Sequence, residues 1–130
     1  MSTEVQVLNS APQEKVQAEI VSSAVPSSFV IVLTTLGAHA DAAEFARTLV
    51  DERLAACVNI VRGVTSVYRW KDGVERDDEQ LLVIKTTAEL VDALQARVRE
   101  LHPYEVPEFL IVPVKGGTEP YMAWLRESVG

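Results

Sequence analysis

The feature that most narrows the fold is "CVNIVRGVTSVYRWKDGVERDDEQLLVIKT", residues 57–86. Its first half is dense in Val, Ile, Thr and Tyr, residue types that suit a pleated strand. Asp72-Gly73 reads as a two-residue hairpin turn. The chain then returns from Val74 to about Thr86, and the late run "QLLVIK" is apolar on both faces. Two strands of roughly 13 residues make a ribbon on the order of 40 Å long at 3.3 Å per residue. Helices of ordinary length cannot cover such a ribbon, so its tip must project. Gly63 interrupts the outgoing strand and predicts a bulge or bend.

The remaining segments frame that hairpin. "FVIVLTT" (29–35) is a short apolar run and reads as a buried strand. Asp41 and Glu44 have capping-box spacing, and Ala42, Phe45, Ala46, Leu49 and Val50 form a helical stripe reaching about Leu54. Thr86 and Glu89 repeat the capping pattern before a second stripe of Leu90, Leu94, Val98 and Leu101. "EFLIVPV" (108–114) is the fourth strand. Thr118 then caps a short helix carrying Tyr121, Trp124 and Leu125. The order is βαββαβ plus one helix, which is the α+β, ferredoxin-like pattern with a long central hairpin. Right-handed crossovers place strand 4 beside strand 1, and strand 3 between strands 1 and 2. Pro113 agrees, because a residue without a backbone donor belongs on an edge strand.

Both edges then lie open to strand pairing. Tyr68 and Trp70 share one face of the projecting arm. Together these features predict that the arm and the edges dock on further copies of the chain. Single exposed aromatics are the plainer reading of the same two residues.

Composition excludes several classes. The net charge of −7 leaves no basic face for nucleic acid. No apolar run approaches the length of a membrane span. The single Cys57 rules out an internal disulfide and suits a reducing, cytoplasmic setting. Residues 1–28 lack the basic and continuous apolar regions of a secretory signal and read as a flexible extension, with a short helix over 13–21 as an option. Residues 29–130 read as one domain.

Three residues are candidate metal ligands: His102, Glu105 and Cys57. His102 and Glu105 stand in "HPYEVPE", on either side of Pro103. The alternative for His102 is a helix-terminal turn residue, and for Cys57 a small buried apolar residue. The charged tip "KDGVERDDE" (71–79) reads either as a surface attractive to cations or as a solvated tip that blocks aggregation. No nucleophile–base pairing or phosphate loop is legible, so an enzyme is not expected.

The motifs "ERLAACVNI", "SVYRW", "IKT", "HPYEVPE" and "PYMAWL" occur in an order and spacing that resemble the CutA family of divalent-cation tolerance proteins, from about Phe29 to Val129. The resemblance implies a ferredoxin-like subunit, a homotrimer built by edge-strand pairing, and a role in tolerance of divalent metals such as copper. It implies no established catalysed reaction. The chain departs from the family at several places. The tip reads "WKDG", with glycine one place late, and Arg62 replaces a common proline. Thr34 and Thr35 stand where some members have a cysteine. Leu101 stands where some have a second histidine beside His102. Direct binding of Cu²⁺ or another divalent ion is therefore expected to be weak. A second reading is a trimeric signalling module resembling PII proteins, with a nucleotide or other small anion between subunits.

Overall fold

The computed structural model describes residues 28–130, so the proposed N-terminal extension lies outside the described residues except for Ser28. The elements are β1 (Phe29–Gly37), α1 (Ala42–Asp51), β2 (Cys57–Trp70), β3 (Gly73–Thr87), a 3-10 turn (Ala88–Leu90), α2 (Val91–Leu101), β4 (Leu110–Pro113) and α3 (Glu119–Glu127). The strands form one antiparallel sheet in the order β2-β3-β1-β4. Strands β1 and β3 are central, and Pro113 lies on the β4 edge opposite Val30.

Strand alternation sorts the side chains. Val30, Val32 and Leu36 of β1 and Leu82 and Ile84 of β3 meet Phe45 and Leu49 of α1 and Leu94 and Val98 of α2 in one core. Each fully buried Leu or Ile contributes roughly 1.5–3 kcal/mol relative to exposure. The paired carboxylate of Glu52 and guanidinium of Arg97, at 2.9 Å on both sides, tie the end of α1 to α2. Phe29 has the opposite parity and packs with Ala56 and Leu125 of α3. Arg53, in the left-handed region at φ 61°, donates to the Glu127 and Gly130 carbonyls at the end of α3.

Much of that second face stays open. Leu110 and Val112 are 56% and 41% exposed, beside the half-buried Leu33 and Ile31 that they pair with.

The hairpin differs from the expectation at its tip. Trp70 pairs with Gly73, so the turn residues are Lys71 and Asp72, and the left-handed residue is Lys71 at φ 56°. A turn at 72–73 would set Arg69 opposite Arg76, and like charges directly across a ladder are unfavourable. The observed register instead pairs Arg69 with Val74. Gly63 sits at the expected bulge, at φ 77°, where the ladder shifts between Val61 and Val64.

Three further boundaries move. Helix α1 stops at Asp51 rather than Leu54, because Arg53 turns the backbone left-handed. Thr86 is not a cap; it stays in β3 and donates its hydroxyl to the Leu54 carbonyl at 2.8 Å. Strand β4 begins at Leu110 rather than Glu108, whose carbonyl accepts from the Thr34 hydroxyl at 2.6 Å. Asp41 does cap α1, accepting from the Glu44 N–H at 3.0 Å. Thr118 precedes α3 but makes no side-chain cap bond.

Candidate functional site

Helix α2 ends at the His102-Pro103 step, since a residue before proline is pushed out of helical geometry. The imidazole is 7% exposed and lies edge-on to Phe45 at 6.2 Å. Its Nε2 is 2.6 Å from the Thr35 carbonyl, which can only accept, so Nε2 carries the proton. Its Nδ1 accepts from the Tyr104 N–H at 3.1 Å. The ring is therefore the neutral Nε2–H tautomer, with both nitrogens occupied by backbone. It fixes the corner between α2 and β4.

The three expected metal ligands are not brought together. Cys57 is half-buried opposite Lys85, which in turn pairs with Ile31. Strand spacings put Cys57 on the order of 15 Å from the Thr35 end of β1. Glu105 is exposed beyond the corner, on a cleft. Among the described residues, no group of three His, Cys, Asp or Glu side chains is placed to hold a metal ion.

What the corner does build is that cleft, about 640 Å³, between the hairpin and residues 104–108. Four carboxylates line it: Asp77 and Glu79 from β3, and Glu105 and Glu108 from the corner. Tyr68, Trp70 and Tyr104 supply aromatic walls, and no Lys, Arg or His is in the lining. Glu79 lies on the strand face of Leu81 and Val83, opposite the core face of Leu82 and Ile84. It is 7% exposed, and its Oε2 accepts from the Tyr104 hydroxyl at 3.1 Å.

The crowded carboxylates perturb their neighbours. The Tyr68 hydroxyl donates to Asp77, and that bond, with some desolvation and the nearby negative charges, pushes its pKa up to about 12. Partial burial, then the bond to Glu79, raises Tyr104. Partial burial, then the charge of Glu79, raises Glu108 above the usual carboxylate value. All of these effects oppose further negative charge in the cleft.

Tyr68 and Trp70 are thus half-exposed cleft walls of the single chain, at 39% and 45%. Sequence reading placed Asp77 and Glu79 in a charged tip, either attractive to cations or merely solvated. The missed signal was alternation: Glu79 continues the row of Leu81 and Val83 on the sheet face away from α1 and α2.

A profile of the family described as "CutA1 divalent ion tolerance protein" matches residues 30–128. The chain is 49% identical over 100 residues to the "Divalent-cation tolerance protein CutA" of Thermus thermophilus, a match covering 77% of this chain and 97% of that protein. It is 45% identical over 106 residues to human "Protein CutA", covering 82% of this chain but 59% of the human protein's length. The chain thus spans about three fifths of several longer relatives, including that of Mus musculus, at 60%. The crystal structure of CutA1 from Oryza sativa superposes with a TM-score of 0.77 at 40% identity, covering 82% of this chain and 98% of that one.

Proposed function

The chain belongs to the CutA1 divalent ion tolerance family, and on that premise we propose that it serves divalent-cation tolerance as a homotrimer of ferredoxin-like subunits. The observation that carries the assembly is the pair of open edges. Among the described residues, strands β2 and β4 each present unpaired backbone groups, and β4 adds Leu110, Ile111 and Val112, all 41% exposed or more. Pairing β2 of one copy with β4 of the next is a head-to-tail contact, and three such contacts close a ring with no edge left. The half-exposed Trp70 and Tyr68 on the arm would then meet the neighbouring subunit.

The role in metal tolerance is named for relatives such as the Thermus thermophilus protein. We read it here as a binding role rather than a catalysed reaction. Direct binding of Cu²⁺ or a similar ion is weak on this reading. His102 has no free nitrogen, while Glu105 and Cys57 stand apart and offer single ligands, and a closed transition-metal site needs about four. A reducing, cytoplasmic setting suits the free thiol of Cys57. Among the described residues, no helix is long and apolar enough to cross a membrane. The nucleotide reading finds no support, because the cleft is lined by four carboxylates and no basic side chain.

Deleting the gene and scoring growth against graded Cu²⁺ and Zn²⁺ tests the role. Sensitivity that the intact chain restores is the expected result. Equal growth at every concentration contradicts it.

A further inference from the structure

We propose that the cleft between the arm and the 104–108 corner is one half of a subunit contact, completed by Lys85, Tyr121 and Trp124 of a second copy of this chain. The first observation is how charge is distributed on the sheet face that α1 and α2 leave open. Strand alternation puts Ser66, Tyr68 and Trp70 of β2 and Glu75, Asp77 and Glu79 of β3 at one end of that face. Lys85 continues the same row at the other end, opposite Cys57 and Ile31. Outside the bulge at residues 62–63, it is the only Lys or Arg that the four strands place on this face. It follows Glu79 along β3 by roughly 20 Å at strand spacing. One copy therefore cannot bring the two ends together.

The second observation is the surroundings of Lys85. Its Nζ lies 5.7 Å from the Tyr121 ring centroid and 3.4 Å from that hydroxyl, and it meets no carboxylate among the described residues. Tyr121 and Trp124 stand with rings 5.4 Å apart and are 42% and 44% exposed. An ammonium beside exposed aromatics at one end complements carboxylates between aromatic walls at the other.

The third is where the edges lie. Strand β4 sits at the Lys85 end, since Val112 and Lys85 both pair with Ile31. The β2 edge offers it two lengths. Pairing β4 of the next copy with residues 57–61 would bring the two Lys85 side chains level, like charge beside like. Pairing it with the arm, residues 64–70, shifts the next copy along the strands until its α3 and Lys85 face the cleft. That register neutralises Lys85 and covers both sets of aromatic rings in one contact.

The contact deepens the trimer reading and rests on it. Sedimentation velocity of the full chain over a dilution series reads the trimer dissociation constant, and circular dichroism of the same samples reads the fold. We expect Lys85→Gln to weaken the trimer at least tenfold. Arg99→Gln, which removes the same charge from the exposed side of α2, is expected to leave it unchanged. Lys85→Glu and Glu108→Lys are each expected to weaken it, and the two together to recover most of the loss. Recovery by exchanged charges is a result that a purely local role of Lys85 beside Tyr121 does not give. Should the Lys85 variants fail to fold, Glu108→Gln, on the exposed corner, is expected to weaken the trimer severalfold. A parent trimer that these variants leave unchanged would overturn the contact and leave the trimer standing. So would equal loosening by Arg99→Gln, or no recovery on exchange. A parent that sediments as a monomer would overturn the trimer and this contact with it.

Discussion

His102 shows how a residue type can point to one chemistry while its surroundings commit it to another. Imidazole is a common metal ligand, but here Nε2–H donates to the Thr35 carbonyl and Nδ1 accepts from the Tyr104 N–H. His102→Ala orphans a carbonyl and an N–H in a mostly buried corner, with an expected cost of about 1–3 kcal/mol. Denaturant unfolding measures that cost. Calorimetry with Cu²⁺ is expected to give the same affinity as the parent, and a tenfold loss would restore the ring as a ligand. Tyr68 makes a second prediction. Its pKa is raised from the ordinary 10.0 to about 12, chiefly by donation to Asp77. The folded state thus holds this proton more tightly than the unfolded chain. The stability it contributes is complete below pH 10 and is lost as pH rises through about 12. Alkaline absorbance titration should show Tyr68 and Tyr104 ionising late, with Tyr68 returning toward 10 in Asp77→Asn. A Tyr68 that already ionises near 10 would contradict the hydrogen bond.

At the scale of elements, the hairpin sets what the sheet can do. Gly63 lets β2 bulge with φ 77°, and no atom lies within 4 Å of where a Cβ would stand. The cost of Gly63→Ala is therefore conformational alone, about 1–2 kcal/mol for a left-handed non-glycine residue. A urea midpoint at fixed protein concentration reads it, and an unchanged midpoint would mean that the bulge relaxes. This bulge was legible in the sequence, as were the sheet order and the edge position of Pro113. Each rests on a local rule that tertiary contacts do not override. Glycine interrupts a β-rich run, proline cannot donate to a ladder, and two-sided apolar runs mark central strands. The boundaries that moved depend on partners distant in sequence. Thr86 looked like a cap, but the Leu54 carbonyl takes its hydroxyl. Asp72-Gly73 looked like the turn, but it would set Arg69 opposite Arg76, and the Lys71-Asp72 turn keeps the two arginines apart. The cleft was not legible for the same reason. It joins β3 to a corner some 25 residues away, and Glu79 reads as solvated until Tyr104 is seen above it.

At the scale of the whole molecule, the open face and the two edges are the unresolved demand of a single copy. Among the described residues, one face of the sheet is closed by α1 and α2, but α3 covers only the Phe29 end of the other. Leu110 tests whether β4 supplies the contact. At 56% exposure it contributes little inside one subunit, so Leu110→Asp should change subunit stability by no more than about 0.5 kcal/mol. The same substitution buries an unpaired charge if β4 is covered by a neighbour, and should release monomers. A variant that sediments like the parent would place the interface elsewhere. The central claim is that three copies close the ring that one copy leaves open. Sedimentation equilibrium of the intact chain at micromolar concentration tests it most directly. The account predicts a single species of three times the 14.3 kDa chain mass, unchanged by metal chelators. A species of 14.3 kDa under the same conditions would contradict it.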